Sequence, residues 1–191
     1  METLLKALES LSENKALFYV GQGIGVIALL CAMASYQMKS RKGIVTLQIV
    51  GCALFAIHFL LIGALTGALL NVLAACRAAV FFFKDRKWCR AEIFVPLFIV
   101  LSIAAVIPTW DGPLSLLPMA GMICTTFSIA SAKTFAIRMW ALPSSPLWIV
   151  YNAINKSVAG VVTEVFVMTS IVVALIRFHV SKEKNGAGGG D

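Results

Sequence analysis

The chain alternates between long apolar runs and short polar connections. Apolar stretches occupy approximately residues 17–38, 44–62, 64–83, 91–108, 114–132, 134–153 and 158–178. A bilayer crossing needs about 20 predominantly apolar residues, within a range of roughly 17–25, so the pattern predicts seven transmembrane helices. Between the fourth and fifth runs, Asp111-Gly112-Pro113 cannot continue a helix and predicts a turn. The sixth run is the weakest, because Pro143 and Pro146 interrupt it. Prolines inside a span are tolerated where neighbouring helices or water satisfy the freed carbonyls. Ahead of the first span, within residues 1–16, Leu4, Leu8 and Leu11 share one helical face and predict a short interfacial helix. Residues 181–191, ending in "NGAGGGD", read as a flexible tail.

Composition agrees with the pattern. Of 191 residues, 60% are hydrophobic and only 13% charged, against about 45–50% apolar and about 25% charged in soluble domains. So much apolar surface needs lipid to cover it. The net charge of +7 does not form a nucleic-acid patch, because the basic residues sit in short clusters between apolar runs. Lys39, Arg41 and Lys42 follow the first span, and Lys84, Arg86, Lys87 and Arg90 follow the third. Lys133 and Arg138 follow the fifth, and Arg177, Lys182 and Lys184 lie at the end. Seven spans place all four clusters on one side, which the positive-inside rule makes cytoplasmic, with the N-terminus outside. Six or eight spans would split them between the two faces. "AMAS" at 32–35 resembles a signal-peptidase site, but the preceding segment carries three Glu against two Lys instead of a basic n-region. The five cysteines, 31, 52, 76, 89 and 124, lack the close pairing of a metal or redox motif and read as inert packing.

The stretch "GQGIG" at 21–25 invites a phosphate-loop reading, which its apolar flanks and missing strand–helix context argue against. Gly21, Gly25, Ala28, Ala32 and Ser35 instead follow a 4-3-4-3 spacing down one helix face. Gly121, Thr125, Ser128 and Ala132 do the same on the fifth span, and Ala64, Ala68, Asn71, Ala75 and Ala78 on the third. Small residues at helical spacing let membrane helices pack closely. Gly23 lies off that face and has no part in it.

An internal repeat organises the spans. "LFAIHFLLIGALTGALLNVL" (54–73) slides by 93 residues onto "LWIVYNAINKSVAGVVTEVF" (147–166) without gaps, matching His58 with Tyr151, Gly67 with Gly160 and Asn71 with Glu164. Spans one to three (17–83) and five to seven (114–180) then form two triple-helix bundles, with the fourth span as a linker within 84–113. An odd linker makes the bundles parallel, a transporter architecture whose site lies between the repeats.

"YVGQGIGVIALL", "IHFLLIGALTGALL", "CRAAVFFF" and "LLPMAGMI" resemble the YgjV-type bacterial inner-membrane proteins, from about Tyr19 to Phe178. That resemblance implies a multi-pass inner-membrane location. More distantly, the 3+1+3 layout is similar to the SWEET and PQ-loop transporters, which carry sugars, or in related families vitamins and amino acids, by rocking two triple-helix bundles. This second resemblance implies a pocket lined by Asn on the third and seventh spans and by aromatics on the second and sixth. The matching positions here are Asn71 and Glu164, with Phe55 or Phe59 and Trp148. The Pro-Gln of those transporters is absent; Tyr36-Gln37 and Ala132-Lys133 stand nearest to it. Glu in place of Asn weighs against a neutral sugar.

Ionisable groups at membrane depth cost at least about 2.5–3.5 kcal/mol on insertion scales and are functional candidates by default. Glu164 lies about six residues, roughly 9 Å, below the outer end of its span; it lines a pocket or sits in a structural ion pair. Arg77 either snorkels to the cytoplasmic headgroups or pairs with Glu164. Asn71 faces protein, as a pocket contact or a helix–helix hydrogen bond. His58 is a pocket group or a satisfied neutral ring. Trp148, Tyr151 and Asn152 crowd the outer end of the sixth span, where Trp148 also suits an interfacial belt. The expected site is therefore Asn71, Glu164, His58, Trp148, Tyr151 and Asn152, with Arg77 as a charge partner. It predicts a transporter of a small polar solute, sugar-, vitamin- or amine-like, working by alternating access. The alternative is a non-transporting receptor or scaffold of the same fold, and an intramembrane enzyme using Glu164 and His58 as acid and base ranks third. No set of residues resembles a catalytic triad or a metal site, and no cofactor is expected; the expected partners are the bilayer and the solute.

Overall fold

The computed structural model describes residues 14–38, 40–83, 86, 89–131 and 134–187. The predicted interfacial helix at Leu4, Leu8 and Leu11, and the stripe position Ala132, lie outside them. The described chain is helical: α1 Lys15–Gln37, α2 Arg41–Leu61, α3 Leu65–Phe82, α4 Ala91–Val106, α5 Leu116–Ala130, α6 Thr134–Ala141, α7 Ser144–Ile154 and α8 Val158–Ala187, with a 3-10 turn at Ile107–Thr109. The last helix continues to Ala187, into the segment read as a tail. The predicted turn forms at Asp111–Pro113, where Gly112 takes φ 73°.

Among the described residues, six helices are long and apolar enough to cross a membrane. The expectation of seven continuous helices needs correction at the sixth run, which is split. Pro143 has no N–H and occupies the cap position of α7, so the ladder breaks after Ala141. At 8 and 11 residues, neither α6 nor α7 reaches spanning length by itself. The pair nonetheless runs between opposite ends of the bundle. At its start, Ser128 of α5 donates to the Ile137 carbonyl at 2.8 Å and Arg138 donates to the Ala174 carbonyl of α8 at 3.3 Å. Just beyond its finish, Gln22 near the start of α1 donates to the Lys156 carbonyl at 2.7 Å.

Helix α2 packs on both α1 and α3, and α7 packs on both α5 and α8. The two groups meet through α1 against α8 and α3 against α5. Small residues make these approaches possible. Gly21, Gly25, Ala28 and Ser35 are buried on one face of α1. A Cβ on Gly25 would sit 2.9 Å from His58 Nδ1 and 3.0 Å from Ala159 Cβ, whereas one on Gly23 meets nothing within 4 Å. On α5, a Cβ at Gly121 would lie 2.7 Å from the Trp148 ring. The opposite face of α1 exposes Tyr19, Val26, Ile27 and Leu30, as a lipid-covered helix should. All five cysteines are free thiols.

Candidate functional site

Among the described residues, two cavities that share a wall lie within the helix assembly. The smaller, about 180 Å³, is bounded by Phe55 and Phe59 of α2, Asn71 of α3, Met122 of α5, Trp148 and Asn152 of α7, and Thr163 of α8. The larger, about 660 Å³, lies towards the basic ends of the helices, between Val45, Gln48 and Cys52 of α2, Phe81 of α3, Ser128 of α5 and Ile171 of α8. Ala74, Arg77, Thr125, Ala141, Glu164 and Val167 line both. The two charged groups thus stand where the cavities share a wall.

Helical periodicity brings α3 there, because Asn71, Ala74 and Arg77 recur every three residues and occupy neighbouring parts of one surface. Arg77 is only 8% exposed, so it does not snorkel. One terminal nitrogen of its guanidinium donates to the Met122 carbonyl at 3.1 Å, to Thr125 Oγ1 at 3.0 Å and to Thr126 Oγ1 at 2.7 Å. These acceptors belong to α5, whose Gly121-Thr125-Ser128 stripe therefore supplies polar ligands as well as close packing. The Arg77 Nε is buried without a partner, a condition that costs about 1–3 kcal/mol. The expected Arg77–Glu164 pair does not form: among the described residues, the recorded ion pair joins Arg90 to Glu92. Glu164 instead faces the Ser145 hydroxyl of α7.

Asn71 donates to the Gly67 carbonyl in its own helix at 2.9 Å, not to another helix. Trp148 turns inward from the expected belt. Its ring centroid lies 6.1 Å from Phe59 and 5.8 Å from Tyr151, and it lines the smaller cavity. Four of the predicted site residues, Asn71, Glu164, Trp148 and Asn152, share that cavity.

His58 and Tyr151 line neither cavity; they tie helices together beyond its far end. His58 is fully buried between the Gly21 carbonyl of α1 and the Ser157 hydroxyl, each at 2.7 Å. A carbonyl only accepts, so Nδ1 carries the proton, and in the neutral ring Nε2 accepts from Ser157. The Tyr151 hydroxyl accepts a hydrogen bond from the Gly67 N–H of α3 at 2.8 Å. That amide lies in the first turn of α3, where backbone N–H groups lack intrahelical partners and the Ala64 cap supplies none.

Sequence reasoning gave Thr125 a packing role only and missed Thr126, Ser145 and Ser157. Hydroxyls are common in membrane helices, where most bond their own preceding turn, so nothing local marks the few that reach across. One signal was available in the repeat. Offset by 93, Phe55 corresponds to Trp148, Phe59 to Asn152, Asn71 to Glu164 and Ala74 to Val167, and all eight line the smaller cavity. In the larger cavity Val45 corresponds to Arg138, Gln48 to Ala141, Arg77 to Ser170, Ala78 to Ile171 and Phe81 to Ala174.

Residues 19–182 match the family model of the YgjV bacterial inner membrane proteins. The chain is 25% identical over 161 residues to the inner membrane protein YgjV of Escherichia coli (strain K12), covering 84% of this chain and 85% of that one. No solved structure matches. With the family model spanning most of the chain and apolar helices throughout, the protein belongs to the YgjV family of multi-pass bacterial inner membrane proteins.

Proposed function

We propose that the protein moves a small polar solute across the inner membrane by alternating access between two parallel triple-helix bundles. In this reading α6 and α7 together make one crossing, so the chain crosses seven times in a 3+1+3 layout. The N-terminus is periplasmic and the basic connections and C-terminus are cytoplasmic. The observation that carries it is the pairing of cavity residues 93 positions apart: both halves present equivalent positions to one space. The contacts of α1 with α8 and of α3 with α5 support it too, since a two-fold axis along the membrane normal would exchange them. The larger cavity is the cytoplasmic vestibule, the smaller one the solute site, and the His58 and Tyr151 layer closes the periplasmic end.

The test is flux into proteoliposomes of purified protein, using radiolabelled sugars, amino acids and amines. Saturable uptake that Trp148→Ala reduces at least ten-fold is expected. Saturable binding without flux would overturn transport in favour of a receptor.

A further inference from the structure

Resting on the transport reading, we infer that the solute is a small zwitterion, its carboxylate held by Arg77 and its ammonium by Glu164 and Asn71. The smaller cavity is lined by one basic and one acidic side chain that are not joined to each other. Arg77 is more than nine-tenths buried, and its protein partners are all neutral: one carbonyl and two hydroxyls. All three bonds use the same terminal nitrogen, and Nε has no acceptor. A guanidinium presents its donors as a planar fork matched to a carboxylate, and here part of the fork is unused.

On α8, Glu164 has the Ser145 hydroxyl of α7 as a neighbour, a group that can donate one hydrogen bond to a carboxylate able to accept several. Asn71 commits its amide nitrogen to Gly67, which leaves its Oδ1 as the group turned to acceptance, and on the same cavity the buried Oδ1 of Asn152 has no partner. An ammonium carries three N–H donors and fits these acceptors. The repeat gives an independent reason to connect the two charges. Each departs from a neutral counterpart, Arg77 from Ser170 and Glu164 from Asn71. The cation belongs to the first bundle and the anion to the second, so a solute of opposite polarity end to end would bridge them. A zwitterion also leaves the occupied site with no net charge, which matters where an unbalanced charge is costly. At about 180 Å³ against about 660 Å³, the smaller cavity is less than a third of the larger one, which suits a small amino acid better than a disaccharide. Phe55, Phe59 and Trp148 offer an apolar wall to its side chain.

The experiment is calorimetric titration of the full chain in nanodiscs with each of the twenty amino acids, then with lactate and ethylamine as carriers of one charge each. At least one small amino acid should bind saturably, with lactate and ethylamine at least ten-fold weaker. Arg77→Gln should remove lactate binding and keep ethylamine, while Glu164→Gln should do the reverse. Arg77→Lys preserves the charge and tests the fork: it should weaken the amino acid several-fold without removing it. Circular dichroism and size exclusion of each variant establish that it is folded before titration. Failure of all twenty amino acids to bind overturns the inference. So does loss of the same ligand set in both neutral variants, which would mark the pair as structural. Saturable flux of a neutral sugar by a protein that binds no amino acid overturns the zwitterion alone and leaves the transport reading standing. Absence of flux for every solute class removes that reading itself.

Discussion

The two ends of the helix assembly are held in different ways. At the end where α1 and α8 begin, polar bonds cross between several pairs of neighbours. His58 joins α1, α2 and the α7–α8 turn. Thr66 of α3 donates to the Thr109 carbonyl at 2.7 Å, Tyr151 caps α3, and Gln22 reaches Lys156. At the basic end the crossings among described residues are fewer, chiefly Ser128 to Ile137 and Arg138 to Ala174, and the larger cavity opens the packing between α2, α3, α5 and α8. Without a hydrophobic drive between helices in lipid, packing and interhelical hydrogen bonds hold a bundle together. Among the described residues, the knitted end is the more heavily bonded one. In the proposed transport cycle the two ends would exchange these conditions, and hydroxyl, imidazole and carbonyl contacts are bonds that can be replaced.

The largest expected effect comes from forcing the knitted seam apart. Gly25→Leu drives a side chain against His58 and Ala159 and should cost about 3 kcal/mol, the upper part of the usual overpacking range. Gly23→Leu, which meets open space, should cost less than about 0.5 kcal/mol. Thermal unfolding in detergent, followed by helical circular dichroism, compares them; equal losses would mean that α1 does not use this face.

Removing the central bond of the seal comes next. His58→Ala strands the Ser157 hydroxyl and should destabilise by about 2 kcal/mol. It should also raise thiol labelling of a cysteine placed at Gln22, near that end, from a membrane-impermeant reagent. Lower stability with labelling unchanged would make His58 a structural tie and nothing more.

Tyr151→Phe deletes one hydrogen bond and keeps the ring packed on Phe59 and Trp148. A loss of about 1 kcal/mol is expected, because Gly67 then lacks its partner. At the basic end, Ser128→Ala removes a comparable bond to Ile137, and a loss at or below that of Tyr151→Phe is expected. A clearly larger loss at Ser128 would reverse the assignment of the tighter end.

The smallest effect is at the turn itself. Lys156 holds φ 56°, a left-handed conformation unfavourable to a side chain. Lys156→Gly should be neutral or stabilising by a few tenths of a kcal/mol, since relief of strain and the added freedom of the unfolded glycine nearly offset. Denaturant midpoints measure it, and a loss above about 1 kcal/mol would give the lysine side chain a role at this end.

Much of the protein could be read from the order of its residues. The membrane class, the helical runs, the Asp111–Pro113 turn and the close-packing face through Gly21 and Gly25 all follow from local composition and spacing. Lipid forces the backbone to satisfy itself within each helix, so an apolar run of sufficient length fixes its own secondary structure. Even the exception at Pro143 was marked by its missing N–H, although its strength was not: whether a proline kinks a helix or ends it depends on what neighbours offer the freed carbonyls. Asn71, Glu164, Trp148 and Asn152 could be picked out as polar or amphipathic residues in apolar surroundings, and they do share a cavity.

Direction and partnership belonged to the tertiary structure. Nothing in the sequence distinguishes His58, which ties three segments together, from Asn71, which lines the cavity a few turns further along the chain. Nor does it show that Arg77 passes over the carboxylate in the same cavity for a carbonyl and two threonines on α5. A side chain's depth and period are local properties, fixed by the helix it stands on. Its partner here comes from another segment, 45 to 99 residues distant in the contacts of Arg77 and His58 with α5 and Ser157, and is set only when the helices pack.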